Sequence, residues 1–268
     1  MKTKVQSMPI VMPNAEYQAK DAVSATDIKN WINTCPKIWH QLKYGDVNIE
    51  PPTALKKAFR DGELAHAFTL EPIRAAEHYV VCPSKATKAG KEKAAEIIAA
   101  GQEPITQAEY DLSSNIADSV HNHPLASKLL NFGTPELSFF TQDKNSGIEV
   151  KARPDWLVGD LIVDLKTTGE GGASPQKAIK TIANLNYHIQ AAHYLETVQA
   201  KEFNFIFVEK VYPFAVGIYQ LDKDALLEGR SLREQALKEI SICHTDNYWR
   251  GYSETVETLS MPRWAFKN

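Results

Sequence analysis

Residues 149–168, EVKARPDWLVGDLIVDLKTT, decide the fold prediction for this chain. Apolar and charged residues alternate from Ile148 to Arg153, and this period of two is typical of a strand with one buried face. Two short apolar runs follow, one on each side of Gly159-Asp160. A two-residue connection with glycine first is typical of a tight β-hairpin. The stretch therefore predicts a strand followed by a hairpin.

The hairpin places two acidic residues opposite each other. With Gly159-Asp160 as the loop, Trp156 pairs with Val163, and Asp155 then lies opposite Asp164. Opposed residues in an antiparallel pair share a face of the sheet, with Cβ atoms roughly 4.5–5.5 Å apart. The predicted register therefore brings two carboxylates together.

A pair of opposed carboxylates needs a counter-charge. Like charges that face each other destabilise a sheet unless something binds them, and oxygen-rich sites select Mg²⁺ or Mn²⁺. Lys166 is two residues beyond Asp164 and shares its face. The hairpin predicts a divalent-metal site with a lysine beside it. A solvated hairpin with one Asp164–Lys166 ion pair would explain the same residues, and a bulge at Pro154 would break the register.

Composition sets the class of protein. The chain has 268 residues, of which 43% are hydrophobic and 24% charged, as in soluble globular proteins. It has no apolar run long enough to span a bilayer, and Met1–Ile10 lacks the apolar segment of a signal peptide. We therefore expect a cytoplasmic protein with no membrane partner. The net charge of −3 weighs against a general coat of basic residues but is compatible with a local basic groove.

The cysteines exclude two kinds of site. Cys35, Cys82 and Cys243 are scattered, so they indicate a reducing compartment and give no disulfide framework. Three thiols also cannot supply the four ligands of an iron–sulfur cluster.

The flanks predict a short arm and one domain. Residues 1–20 contain two prolines and no periodicity, which indicates an irregular N-terminal arm, and residues 21–268 form the single domain. Gly45 and Pro51-Pro52 predict a loop over residues 46–52. Residues 136–141 predict a strand that pairs ahead of the hairpin. The aromatic residues between 248 and 264 predict a tail that wraps back on the core.

Two helices carry further candidate site residues. The apolar stripe over residues 53–69 predicts a helix, with His66 one turn after Gly62. A neutral imidazole there could ligate a metal or orient a phosphate, although a core histidine with a satisfied hydrogen bond is the simpler interpretation. On a later helix, Gln190 and Tyr194 are four residues apart and are neighbours on one face.

A basic cluster begins the helix predicted over residues 84–101. Cations at a helix N-terminus oppose the helix dipole, so the cluster needs a compensating partner. The phosphate backbone of a nucleic acid is one candidate, and a solvated basic turn explains the pattern equally well. The residues of this cluster are Lys85, Lys88, Lys91 and Lys93.

Taken in order, these residues resemble a known family. Pro154-Asp155 and Asp164-Leu165-Lys166 resemble the signature of the PD-(D/E)xK nucleases, and Gln190-x-x-x-Tyr194 with His66 resembles their RecB-like branch. Further segments are similar to exonuclease VIII, the RecE-type recombination exonuclease. These segments are Ser24-Ala25-Thr26 with Cys35-Pro36, Lys88-Ala89-Gly90-Lys91, His123-Pro124 and Trp249-Arg250-Gly251-Tyr252.

The resemblance implies a fold and an activity. The fold would be α/β, with a restriction-endonuclease-like core in which helices flank a central mixed sheet. The activity would be Mg²⁺-dependent hydrolysis of linear double-stranded DNA, with Mn²⁺ as a substitute, from the 5′ end, leaving a 3′ single strand. The partners would be duplex DNA ends, further copies in a toroidal homo-oligomer and a single-strand annealing protein. An endonuclease on the same scaffold and a non-catalytic DNA-end-binding module are the alternatives.

Phosphodiester hydrolysis gives each candidate a role. Asp155 and Asp164 would share the metals, and His66 and the Leu165 carbonyl would complete one coordination shell. Lys166 would orient the attacking water or stabilise its deprotonated form. Gln190 and Tyr194 would position that water, Lys166 or the scissile phosphate. Glu136 is an additional ligand candidate, although an exposed strand carboxylate is the favoured interpretation of it.

Overall fold

The computed structural model describes residues 8–45, 52–84 and 86–266. Residues 46–51 of the predicted loop and Lys85 lie outside the described residues. The helices are α1 (Asn14–Ala19), α2 (Ala25–Asn33), α3 (Pro36–Tyr44), α4 (Thr53–Leu70), α5 (Pro72–His78), α6 (Lys88–Ala99), α7 (Gln107–Asn122), α8 (Pro124–Leu129), α9 (Pro175–Asn184), α10 (Tyr187–Val198) and α11 (Lys223–Asp246). The strands are β1 (Tyr79–Val81), β2 (Glu103–Ile105), β3 (Thr134–Pro135), β4 (Phe139–Gln142), β5 (Glu149–Ala152), β6 (Trp156–Val158), β7 (Leu161–Thr168), β8 (Glu202–Glu209) and β9 (Val216–Gln220).

A mixed five-stranded sheet forms the centre of the fold, in the order β3-β6-β7-β8-β9. Strands β7 and β8 are parallel, and the other neighbours are antiparallel. Parallel neighbours need a long crossover, and α9 and α10 supply it. The predicted α/β fold with a mixed sheet is confirmed. No helix in the described ranges is both long enough and apolar enough to cross a bilayer.

The predicted hairpin register is confirmed from Trp156–Val163 to Val158–Leu161, whereas the predicted Asp155–Asp164 pair lies beyond the last pair of the ladder. Trp156 pairs with Val163, and Val158 pairs with Leu161. Gly159 has a φ of +57°, a conformation that glycine adopts without a steric penalty. A two-residue turn therefore joins β6 to β7, as the sequence indicates.

Alternation along β7 divides its side chains between two helical layers. Val163 and Leu165 pack in a core cluster with residues of α4 and α7, whereas Ile162 packs in a second cluster with residues of α9 and α10. Because successive strand residues point to opposite faces, Asp164 and Lys166 lie on the α10 side. The site residues of β7 are therefore directed at one helix, the one that carries Gln190.

A third cluster closes the end of the domain near the N-terminal helices. Ile28, Trp31 and Trp39 pack there against Ile189 and Leu237. Helix α2 begins with a capping box, in which Ser24 Oγ accepts from the Asp27 N–H and Asp27 accepts from the Ser24 N–H. This packing fixes α2 against α10 and α11.

Residues 1–7 of the predicted arm lie outside the described residues, and the irregular structure predicted for the rest of it needs correction. Helix α1 lies within this range, and its Tyr17 is buried against Phe140. Three α1-proximal carbonyls, those of Tyr17, Gln18 and Lys20, accept hydrogen bonds from Lys151 Nζ at 2.8–3.1 Å. The buried Lys151 ammonium thus caps the C-terminal end of α1. This helix is too short to produce a recognisable helical periodicity in the sequence.

The strand predicted over residues 136–141 is also placed differently. Strand β4 pairs with β5 in a separate two-stranded sheet, and it is the short β3 before it that pairs with β6 of the hairpin. Glu136 lies between β3 and β4 with a φ of +54°, in the left-handed region, so the chain turns there. The alternation of residue types does not reveal this turn.

The predicted C-terminal wrapping holds for only part of the tail. Trp249 stacks on Trp39 with ring centroids 5.5 Å apart. Beyond it, Tyr252 and Trp264 are exposed. The tail therefore leaves the core soon after Arg250, whose carbonyl accepts from the Lys37 N–H.

Candidate functional site

A cleft of about 670 Å³ opens between α1, α4, β7 and α10. It brings together His66, Asp155, Leu165, Lys166 and Tyr194 from the predicted site. Its lining also includes residues that were not predicted, among them Tyr17, Arg153 and Tyr187. Most of the predicted site residues therefore line the same cleft.

Three of the lining side chains form a candidate metal cluster. His66, Glu136 and Asp155 each offer one ligand atom, and these atoms all lie within 4.8 Å of one another. His66 comes from α4, Asp155 from the residue before β6, and Glu136 from the turn after β3. Two carboxylates and an imidazole form a donor set that suits a divalent cation such as Mn²⁺ or Mg²⁺.

Glu136 is held in place at an energetic cost. Its left-handed backbone is uncommon for a residue other than glycine and costs roughly 1–3 kcal/mol. Arg153 Nε donates to Glu136 Oε2 at 2.5 Å. Burial and the nearby Asp155 carboxylate raise the pKa of Glu136 to about 7, although Arg153 opposes the shift. Glu136 is a half-buried turn residue, so the favoured sequence interpretation of an exposed strand carboxylate is wrong, and Glu136 remains a candidate metal ligand.

Asp155 is fixed by the backbone of the neighbouring strand. The Leu165 N–H donates to Asp155 Oδ2 at 2.8 Å, and His66 Nδ1 lies 3.5 Å from the same oxygen. The N–H of Glu136 donates to the Asp155 carbonyl at 3.3 Å. These contacts turn the Asp155 carboxylate toward α4, where the metal cluster lies.

Asp164 lies deeper, on the α10 side. It is fully buried, with Oδ1 accepting from Gln190 Nε2 at 2.8 Å and Oδ2 lying 2.5 Å from Lys166 Nζ. Burial raises the pKa of Asp164 to about 6, while Lys166 opposes the shift and Asp155 adds to it. Asp164 is not part of the three-residue cluster, so its role as a shared metal ligand stays a prediction, as does that of the Leu165 carbonyl.

Lys166 faces both a carboxylate and an aromatic ring. Its Nζ lies 4.6 Å from the centroid of Tyr187. Burial of the ammonium lowers its pKa, but the carboxylates of Asp164 and Asp155 outweigh that effect, so the pKa lies above the ordinary lysine value. The two carboxylates therefore favour the protonated form of Lys166.

Gln190 and Tyr194, the two candidate residues on α10, make different contacts. Gln190 binds Asp164, so any positioning by Gln190 acts through that carboxylate. Tyr194 lines the cleft, and burial raises its pKa well above the ordinary value, so its hydroxyl keeps its proton. Neither role proposed from the sequence is tested by these contacts.

The predicted basic cluster lies outside the cleft. Lys88 is 3.8 Å from Glu92, and Lys93 is 3.0 Å from Glu96, each within α6. None of the described members of the cluster, Lys88, Lys91 and Lys93, lines the cleft. Their contact with DNA stays a prediction.

Comparison with known proteins assigns this chain to a family. The model of a PDDEXK-like domain of unknown function (DUF3799) matches residues 24–262. No protein in a search of curated proteins matches the chain. Among solved structures, the chain is similar to a putative exonuclease from Eubacterium rectale, with a TM-score of 0.65 and 16% identity, over 94% of this chain and 96% of that one.

Two other solved structures share less of the geometry. A phage related exonuclease from Haemophilus somnus 129PT gives a TM-score of 0.33 and 13% identity, over 69% of this chain and 94% of that one. An alkaline exonuclease from Laribacter hongkongensis gives a TM-score of 0.30 and 16% identity, over 67% and 93%. The family match spans most of the chain, and the matched range contains Asp155, Asp164 and Lys166. The chain belongs to the family of PDDEXK-like domains, and the predicted relationship to the PD-(D/E)xK nucleases is confirmed.

Proposed function

We propose that the protein is a divalent-metal-dependent exonuclease that hydrolyses linear double-stranded DNA from the 5′ end. One observation carries the proposal: a cluster of His66, Glu136 and Asp155 shares a cleft with Lys166, whose partner Asp164 is held by Gln190. Metal ligands beside a cation suit reactions in which negative charge grows on a phosphate.

The cluster would hold the metal. His66, Glu136 and Asp155 would be ligands, with Asp164 and the Leu165 carbonyl as the further ligands expected from the sequence. Mg²⁺ bound there would activate a water and stabilise the charge on the phosphate, and Mn²⁺ would substitute for it. The raised pKa values of Glu136 and Asp164 fit this proposal, because a cation would favour the ionised form of both carboxylates.

The remaining residues would position the reactants. The Lys166 ammonium would donate a hydrogen bond to the attacking water or to a phosphate oxygen. Gln190 would keep Asp164 oriented toward Lys166, since its amide donates to the other carboxylate oxygen. The protonated hydroxyl of Tyr194 would donate to a phosphate oxygen in the cleft.

We further propose the setting that the RecE-type resemblance implies. The partners would be DNA ends, other copies of the chain in a toroid and a single-strand annealing protein, and the compartment would be the cytoplasm. An overall charge of −3 suits such a ring, since only the surface that faces DNA need be basic.

Digestion of two DNA forms tests the activity. The purified protein is incubated with linear duplex and with covalently closed circular duplex, in Mg²⁺ and in chelator. We expect mononucleotides from linear DNA alone, and only with Mg²⁺. Cleavage of the circle would favour an endonuclease, and binding without release of nucleotides would favour a non-catalytic end-binding module.

End-labelling tests the polarity. Linear duplex labelled at the 5′ or the 3′ end is digested for a short time. Early release of the 5′ label, with the 3′ label retained in single strands, is the expected result. The reverse order would contradict the proposed direction.

A further inference from the structure

We propose that Lys29 is a phosphate-binding residue of this nuclease, and that it holds a DNA phosphate next to the one that Lys166 faces. The proposal rests on the function proposed above and adds a substrate contact from helix α2, outside the nuclease signature.

Lys29 and Lys166 contact the same aromatic ring. Lys29 Nζ lies 5.2 Å from the centroid of Tyr187, and Lys166 Nζ lies 4.6 Å from it. The two ammonium groups are therefore no further apart than the sum of these distances. Tyr187 itself lines the cleft, so Lys29 lies directly beside the cleft wall.

The backbone around Lys29 is rigid. Its neighbours Ile28 and Trp31 are buried in the core cluster, which fixes the face of α2 that meets α10. Asn186 Nδ2 also donates to Asn33 Oδ1 at 3.3 Å, which ties the end of α2 to the start of α10. Lys29 is thus held beside Tyr187 and does not extend freely into solvent.

The charge of Lys29 lacks an anionic partner. In the described part of the chain, no carboxylate lies within ion-pair distance of its ammonium, and the neighbouring cation is Lys166. Burial and the charge of Lys166 lower the pKa of Lys29 to about 8, with Asp164 acting in the opposite direction. Two cations on one ring repel each other, and an anion placed between them would relieve this repulsion. A nucleic-acid strand brings a phosphate at each nucleotide, which is the spacing that two nearby cations can use.

The experiment removes the charge and keeps the apolar stem. Lys29→Met and Lys29→Gln are compared with wild type, with Lys29→Arg as the charge-conserving variant. Lys37→Met is the matched control, since Lys37 is an exposed lysine on the next helix. Binding of a short linear duplex is measured in chelator, where hydrolysis cannot proceed, at a series of salt concentrations. KM and kcat are then measured in Mg²⁺.

Loss of one phosphate contact has a defined signature. The slope of log affinity against log salt should fall by about 0.9 in Lys29→Met and Lys29→Gln. KM should rise roughly tenfold with kcat less affected. Lys29→Arg and Lys37→Met should keep the wild-type slope.

The outcomes separate this inference from the proposed function. If wild type digests DNA and the neutral variants keep its salt slope and KM, the Lys29 inference is overturned and the function stands. A wild type that neither binds nor digests DNA overturns both. A general loss of stability in one neutral variant is recognised from its unfolding temperature, and the other variant then decides.

Discussion

Two sets of buried charges contact helix α10, and they differ in how completely their partners satisfy them. The first, the structural network, comprises Asp143, Lys151, His193 and Arg233. Arg233 lies 2.8 Å from Asp143 Oδ1, and its Nε donates to His193 Nδ1 at 3.3 Å. Because arginine can only donate, Nδ1 accepts, and the proton of His193 is on Nε2, which donates to the Lys151 carbonyl at 2.9 Å. Each of these side chains has a partner.

The second set comprises Arg153 and Glu136, which line the cleft, and Lys29 and Asp164, which lie beside it, and its charges are less completely compensated. Arg153 Nη1 is buried without a hydrogen-bond partner among the residues described, and Lys29 faces another cation. Glu136 occupies a strained backbone conformation. The pKa values of Asp164 and Glu136 are raised by burial and by neighbouring carboxylate charge.

The two sets of charges are therefore expected to have different roles, the first in stabilising the fold and the second in binding ligands. Buried charges with matched partners hold elements in register, and here they join β5, α10 and α11. Buried charges without full compensation destabilise the free protein and favour any ligand that neutralises them. We therefore propose that the cleft, and not the structural network, receives metal ions and phosphates.

The largest effect should follow from neutralising the deepest cleft carboxylate. Asp164→Asn keeps the volume and an oxygen that can accept from Gln190, but removes the charge that pairs with Lys166. We expect nuclease activity to fall on the order of 10³-fold, since several kcal/mol of charge stabilisation are lost. Digestion of linear DNA measures the loss, and near-wild-type turnover would remove Asp164 from the site.

A substitution in the structural network should lower the stability of the protein. Arg233→Ala leaves Asp143 buried without its cation, and we expect the free energy of unfolding to fall by roughly 3–5 kcal/mol. Arg230→Ala is the control on the same helix, because its pair with Glu196 is exposed and should contribute at most about 1 kcal/mol. Denaturant unfolding compares them. Equal losses in the two variants would refute the distinction between the networks.

The sequence predicts the parts of the site that local rules control. A glycine-first turn fixes the hairpin register, and this register orders Asp155, Asp164 and Lys166. A period of 3.6 residues fixes Gln190 and Tyr194 on α10. These predictions depend only on interactions between residues within about ten positions of each other, so they can be made from the sequence alone.

The remaining features depend on contacts that no local pattern encodes. Glu136 reaches the cluster through a left-handed residue in a segment that has the composition of a strand. Lys29 and Lys166 lie over the same Tyr187 ring only because α2 packs on α10, which follows it by more than 150 residues. Arg153 directly precedes Pro154-Asp155 in the sequence, but its hydrogen bond to Glu136 depends on the tertiary structure.

A smaller effect should come from the residue that orients Asp164. Gln190→Ala leaves Asp164 Oδ1 without its donor, and outer-shell losses of this kind typically cost 10–100-fold. We expect kcat to fall by that factor, with less change in the Mg²⁺ concentration that gives half-maximal rate. A variant with an unchanged kcat would exclude Gln190 from the site.

The smallest effect should be a pH dependence of substrate affinity. The pKa of Lys29 is lowered to about 8, so its ammonium is mostly charged at pH 7 and mostly neutral at pH 9. The groups that face it are Lys166 and Asp164 on β7 and Tyr187 on α10. If Lys29 binds phosphate, KM for linear DNA should rise a few-fold between these pH values, because the cation is lost as pH rises through 8. In Lys29→Arg the guanidinium stays charged throughout, so the rise should disappear. A rise of equal size in that variant would assign the pH dependence to another group in the cleft.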